Sequence, residues 1–279
     1  MSNTMRKQPV FGTWMMQLFL GANAVIMLYP IIMMALSGFK NNSEIFSHPF
    51  ALPKSFALDN FWVIWSETDV PRYLLNSTIV TILSVTFLLI MGTMAAYALA
   101  RYKFRGNVMI YLFFLSGLML PLRLAIIPLF IQLKYLGLID SLLGLICIYT
   151  AMSLPATVFI LTGFLKSLPS ELEDSARIDG ASEFRIMIEI MVPLTMPAMV
   201  IAGIYNAVPI WNDFFFPLIF IQSPEWKTLA QGLTSFFGEY NVNFGVLYAG
   251  LTLAALPLVV IFIVQSRRFI TGMTAGAIK

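Results

Sequence analysis

What this chain can fold into is set first by six long apolar runs, at about 14–38, 73–99, 107–130, 141–165, 194–221 and 244–265. A bilayer core takes roughly 20 apolar residues per helical span. In lipid, only helices and closed barrels satisfy every backbone polar group. The chain is 59% hydrophobic and 11% charged, against roughly 25% charged residues in soluble domains. Together these predict an all-α membrane protein with six transmembrane helices. The third run is the least regular, because Pro121, Arg123, Pro128 and Lys134 interrupt 107–139. It reads either as one span followed by an interfacial segment or as two short passes.

Charge placement orients the bundle, since short loops rich in Lys and Arg stay in the cytoplasm. On six spans, Arg6 and Lys7, the cluster Arg101, Lys103 and Arg105, the stretch holding Lys166, Arg177 and Arg185, and Arg267, Arg268 and Lys279 share one side. Lys40, Lys54, Arg72, Arg123, Lys134 and Lys227 are scattered over longer segments of the other. Both termini are therefore expected in the cytoplasm. Two passes within 107–139 would put 101–106 and 166–193 on opposite sides, against this bias. The net charge of +3 is topology, and no basic run with interleaved aromatics suggests nucleic acid as a partner. The first run is too long for a removable signal and lacks a small-residue cleavage site, so it is expected to stay as a helix.

Several chemistries are excluded by residue type. His48 is the only histidine, which rules out multi-histidine metal sites and a histidine-based hydrolytic triad within the membrane. No Gly-rich phosphate loop ending in Lys and Ser or Thr is present. The chain is expected to hydrolyse no ATP, to carry no cofactor or metal, and not to be an enzyme. Cys147 is the only cysteine, so no intrachain disulfide forms.

Residues 166–193 stand out as a charged stretch between two apolar runs, and they read as helix, turn, helix. Ser170 and Glu173 have capping-box spacing, with Pro169 at the entry. Asp179-Gly180 ends the first helix, because Gly reaches the left-handed conformation at little cost. Ser182 is the candidate cap of a second helix. There Phe184, Met187, Ile188, Met191 and Val192 form the apolar face, with Glu183, Arg185 and Glu189 off it.

This stretch resembles the EAA loop of permease subunits in ABC importers that work with a substrate-binding protein. That pattern is Glu-Ala-Ala, two variable residues, Asp-Gly-Ala, then a spacer ending in an apolar residue and Pro. It stands here as Asp174-Ser175-Ala176-Arg177-Ile178-Asp179-Gly180-Ala181, closing at Val192-Pro193; Asp174 replaces Glu and Ser175 replaces Ala. The tail Gly272-Met273-Thr274-Ala275-Gly276-Ala277-Ile278-Lys279 is similar to that of maltose-type permeases, with Met273 and Ile278 for Leu and Val. Trp211-Asn212-Asp213-Phe214, followed by Pro217 and Leu218, looks like the fifth-helix segment of carbohydrate permeases.

The resemblance implies a type I importer permease bundle, paired with a homologous second permease, two cytoplasmic ATPase subunits that hold ATP and Mg, and an external sugar-binding protein. It implies coupling to the ATPases through Glu173, Asp174, Ser175, Ala176, Asp179, Gly180 and Ala181, and a tail interface at Thr274, Gly276 and Lys279. Asn206, Trp211, Asn212 and Asp213 are candidates for the sugar pathway, with helix termination or subunit packing as the alternative reading. A different class, the ion-coupled secondary transporter, would need intramembrane carboxylates or histidines, and the spans supply few.

Three further features leave alternatives open. The stretch Lys40 to Arg72, with Trp62 and Trp65, reads as a partly ordered outer element, either an anchor for the first helix or a docking surface. Pro30, Pro121, Pro155, Pro197, Pro209, Pro217 and Pro257 lie within spans, as kinks around a pathway or simple kinks in a bundle. Gly92, Ala96 and Ala100, and Ala198 and Ala202, recur at four-residue spacing and would let helices approach closely.

Overall fold

The apolar runs resolve into helices, as a chain with no water to pair its backbone must. A computed structural model describes residues 10–237 and 243–277, and no strand occurs among them. In chain order the α-helices are α1 (Val10–Ser37), α2 (Asn42–Ser47), α3 (Asp59–Ser66), α4 (Val70–Arg101), α5 (Asn107–Gly117) and α6 (Ile126–Tyr135). Then come α7 (Leu142–Ser167), α8 (Glu171–Ile178), α9 (Glu183–Ile186), α10 (Val192–Asn212), α11 (Phe215–Phe220), α12 (Leu229–Leu233) and α13 (Phe244–Ala277). Five stretches, 14–37, 70–101, 142–167, 183–212 and 244–264, are long and apolar enough to cross a membrane.

Two expected runs are broken. Residues 107–130 are not one helix: α5 stops at Gly117, Pro121 is extended, and a 3-10 turn at Leu122–Ala125 leads into α6. Proline supplies no N–H and pushes its predecessor out of helical geometry. Residues 194–221 also divide. Asp213 is extended (ψ 126°), and its carboxylate accepts the backbone N–H groups of Phe215 and Phe216 at 3.3 and 3.1 Å, starting α11 afresh.

The chain groups into two units, Met1–Asp69 with Phe236–Ala255, and Val70–Ser235 with Leu256–Lys279. In the first unit, α1 is exposed over most of its length from Trp14 onward. Order concentrates at its C-terminal end, where Lys40 is buried and its Nζ donates to the carbonyls of His48 and Pro49 at 3.3 and 3.0 Å. Asn60 Nδ2 donates to the carbonyls of Gly38 and Lys40. A lysine that satisfies two loop carbonyls holds 40–60 in shape, while Trp62 and Trp65 remain exposed.

In the second unit, α4 and α7 run parallel. Thr150 Oγ1 donates to the Ser84 carbonyl, Thr157 packs on Gly92, and Arg101 Nη1 donates to the Leu168 carbonyl. The three separations of 66, 65 and 67 residues keep the two helices in step. Close approach comes from the small residues: a Cβ on Gly92 would lie 2.6 Å from Thr157 Cγ2. α10 runs antiparallel to α7, since Tyr149 meets Asp213 and Thr157 meets Asn206. Ala96, Ala198 and Ala202 are buried in one cluster with Leu161, Leu165 and Met191, so the four-residue spacing marks helix contacts.

Candidate functional site

At the end of the bundle where α4 and α7 finish and α10 begins, residues 168–191 fold as the expected helix, turn, helix. α8 closes on Gly180, at φ +80°. The Ala181 N–H donates to the Ala176 carbonyl at 2.9 Å and the Gly180 N–H to that of Arg177 at 3.0 Å, the pair of bonds that defines a Schellman cap. Ser182 is extended and its hydroxyl caps α9 through the Arg185 N–H.

The capping box expected at the start of α8 does not form. Ser170 adopts helical geometry and makes no side-chain cap. Glu173 turns inward instead, where Arg101 of α4 attracts its carboxylate: Arg101 Nε lies 3.4 Å from Glu173 Oε2, with side chains 8% and 3% exposed. A full cation outcompetes one backbone N–H for a carboxylate.

The expected apolar face of the second helix also shifts. Ile186, Met187 and Met191 are buried, whereas Phe184 and Ile188 are exposed. Residues Met187–Met191 form a π-helical turn, with the Val192 N–H bonded to the Met187 carbonyl. The wide turn brings Met191 back into line with Met187 and with Thr195, Ala198 and Ala202 on α10, leaving Phe184 and Ile188 outside. Pro193, which offers no N–H, follows at once.

Charged groups brace the turn. Arg177 forks onto Glu183, Nε to Oε1 at 2.7 Å and Nη2 to Oε2 at 3.2 Å, and its Nη1 donates to Asp174 at 2.9 Å. The Tyr102 hydroxyl, just past α4, donates to Glu183 at 2.8 Å. The Arg177 guanidinium and then the Tyr102 hydroxyl hold the Glu183 carboxyl below the usual carboxylate range. Of the seven residues expected to couple, Glu173 and Ala176 are buried, Ala181 is half-buried, and Asp174, Ser175, Asp179 and Gly180 are exposed. Ile178 (87% exposed) and Phe184 (69%) join them on the outer surface.

At the opposite end lies a cavity of about 450 Å³ among α5, the break at 118–123, α7, α10 and α11. Asp213, Asn206, Tyr149 and Arg123 contribute its polar lining, and Tyr205, Ser153 and Phe216 complete that part of the wall. Tyr149 donates to Asp213 Oδ2 at 2.7 Å, Asn206 Nδ2 donates to Thr157 Oγ1 at 3.1 Å, and Arg123 sits 5.0 Å from the centre of the Phe215 ring. Of the four pathway candidates, Asn206 and Asp213 therefore line the cavity. Trp211 is buried beside it without lining it, and Asn212 is solvent-exposed and bonded back to the Val208 carbonyl. Asp213 also ends α10 and starts α11.

In the link between α6 and α7, Asp140 adopts a left-handed conformation (φ 58°). Its carboxylate accepts the Ser223 hydroxyl and the Gln222 and Ser223 N–H groups, bonds that hold the carboxyl below its ordinary range. The tail residues Thr274 and Gly276 fall on the last turns of α13, and Lys279 lies outside the described residues. Among the described residues no cluster of His, Cys, Asp and Glu could hold a metal.

Residues 88–274 match the model of the family described as "Binding-protein-dependent transport system inner membrane component". The chain belongs to this family. The diacetylchitobiose uptake system permease protein of Streptomyces coelicolor is 34% identical over 92% of this chain and 85% of its own length. An arabinooligosaccharides transport system permease protein of Bacillus subtilis is 33% identical over 99% of both chains. The fold matches a chain from the crystal structure of a bacterial ABC transporter involved in import of the acidic polysaccharide alginate. The TM-score is 0.82 at 21% identity, covering 96% of this chain and 100% of that one.

Several residues of this inner membrane component carry the geometry without having been singled out in its sequence. Arg101 read as a topology marker, and only the three-dimensional meeting of α4 with α8 gives it a partner. Tyr149 is one polar atom in an apolar run. Arg123 reads as an interruption of a span, although an arginine two residues from a proline within an apolar segment is itself a signal of lined space.

Proposed function

We propose that this chain is the transmembrane permease subunit of an ATP-driven importer for a sugar or oligosaccharide. An external binding protein delivers the substrate, a homologous second permease completes the pathway, and two separate ATPase subunits grip the bracket at 171–191. The observation that carries the reading is the bracket itself: a capped, braced helical pair fastened to the ends of the long helices, with Asp174, Ser175, Asp179, Ile178 and Phe184 turned outward. A nucleotide-driven partner seated there can pull on the bundle, provided it binds the bracket differently in its two states. Family membership sets the ion-coupled alternative aside.

Parallel packing of α4 and α7 supports six crossings. Two parallel spans require an odd number of crossings between them, and α5 and α6, with 11 and 10 residues, supply about 31 Å of helix, matching a hydrocarbon core of about 30 Å. One discontinuous span there leaves both termini on the side of the bracket, the cytoplasm. Relatives named for diacetylchitobiose and arabinooligosaccharides support a carbohydrate substrate. The cavity at Asn206, Asp213, Tyr149 and Arg123 is the part of this subunit assigned to the pathway. Thr274, Gly276 and Lys279 are assigned to the ATPase-facing tail by the resemblance of the C-terminal sequence.

The test is purification of the intact complex from its native membrane, followed by reconstitution with its binding protein. ATPase subunits should co-purify, and uptake of an oligosaccharide should require ATP inside or outside according to orientation and persist without ion gradients. Uptake driven by a proton or sodium gradient in ATP-free vesicles overturns the reading.

A further inference from the structure

Helix α8 is poorly held by apolar packing. Of its eight residues only Glu173 and Ala176 are buried, and an alanine offers a single methyl group. An amphipathic helix of this length ordinarily docks through three or four large side chains. Here one of the two inward positions carries a charge, and it faces Arg101 in the last turn of α4. The same guanidinium donates through Nη1 to the carbonyl of Leu168, in the short link between α7 and α8. Arg101 thus touches both the helix that bears the outer surface and the strand of chain leading into it.

We propose that Arg101 and Glu173 are the joint through which displacement of the bracket reaches α4. They are positioning residues, and Glu173 is no part of the surface that meets the ATPase. This rests on the coupling function proposed above. Without the pair, α8 would be joined to α7 by the chain, to α9 by the Gly180 turn and the exposed Arg177–Glu183 fork, and to the segment after α4 only through the exposed Tyr102–Glu183 bond, and a push on it could be absorbed by hinging at 168–170. With the pair, α8 and α4 move as one body, and α4 in turn packs along the full length of α7. The joint is held by charge more than by fitted hydrogen bonds: the closest approach of the two groups is 3.4 Å, and Arg101 Nε and Nη2 are buried without a hydrogen bond of good geometry. A pair of that kind should tolerate exchange of its two charges, whereas loss of one leaves the other uncompensated in a low-dielectric site.

The experiment uses the reconstituted complex in a Cys147→Ala background, with spin labels at Glu171→Cys on α8 and Met94→Cys on α4, both exposed. With Arg101 and Glu173 in place, the label separation should be the same without nucleotide and with trapped ATP. In Glu173→Gln the complex should keep its ATPases, the separation should broaden or shift with nucleotide, and substrate moved per ATP should fall at least tenfold. Arg101→Glu combined with Glu173→Arg should recover at least a third of the lost coupling, and it serves as the test if the single variant fails to accumulate. A Glu173→Gln complex with native separation and native transport per ATP overturns the joint. So does one that remains in the membrane but loses its ATPases, since Glu173 would then be a docking residue, and so does an assembled exchange variant that transports nothing. Absence of ATPases from the unmodified complex would instead sink the function proposed above.

Discussion

Replacing Gly180 gives the sharpest measurement, because the structure separates its two possible costs. A Cβ built there meets nothing within 4 Å, so steric conflict with the rest of the chain contributes nothing, and the whole effect must come from φ at +80°. For an L-residue other than Asn or Asp, left-handed geometry costs about 1–2 kcal/mol, with a β-branched residue at the upper end. The escape is to abandon it, which breaks the Ala181–Ala176 and Gly180–Arg177 bonds, each worth about 1 kcal/mol net. Either route costs Gly180→Val about 2 kcal/mol, enough to reduce the properly turned bracket by a factor of ten or more, since about 1.4 kcal/mol is tenfold. Gly180→Ala should cost about 1 kcal/mol, and Gly180→Asn a few tenths, because Asn tolerates this geometry. Substrate moved per ATP in proteoliposomes should follow Asn, Ala, Val in descending order, at equal amounts of assembled complex. Full transport in the Val variant refutes the reasoning, and so does an Asn variant as damaged as Val, which would mean that a partner needs the bare backbone at this position.

Three other outcomes follow from the geometry. Gly92→Ala pushes a methyl group onto Thr157 and should lower the thermal midpoint of the solubilised protein, at an overpacking cost of about 1–3 kcal/mol. Thr157→Ser, which removes the obstructing Cγ2 but keeps the hydroxyl that accepts from Asn206, should restore it, and failure of that rescue would refute the contact. Glu183 titrates below its ordinary range, so its bracing is fully present above the unfolded value near 4.3 and is lost as pH falls through the lower folded one. Hydrogen exchange over 177–185 should therefore accelerate only below pH ~4, and acceleration at pH 5–6 would contradict the assignment. Asp140→Asn should loosen 221–224, since three bonds to a carboxylate are weakened, with a loss of about 2 kcal/mol; unchanged exchange at the Gln222 and Ser223 amides would rule that out.

Much of the bracket could be read from residue order, because its devices are local. Gly180 must turn left-handed, Ser182 must cap, and both depend on neighbours within five positions. What escaped were choices decided by distant partners. Glu173 could serve Ser170 or Arg101, and only the packing of α4 beside α7 brings the arginine within reach. A period of 3.6 puts Phe184 and Ile188 on one face with Met187 and Met191, whereas the chain widens one turn just before Pro193. The break at 118–125 was legible as irregularity from Pro121 and Arg123, yet its consequence, a lined cavity, needs α10 and α11 to close it.

The π turn at 187–191 has a consequence for how such a protein can vary. A helix with one surplus residue is two separately phased screws joined end to end: the half that belongs to the bracket and the half that enters the bundle keep independent angular settings. Deleting any single residue from the wide turn would rotate the first half by about 100° against the second, carrying the exposed Arg185 toward the buried place of Ile186 while α10 kept its setting in the bundle.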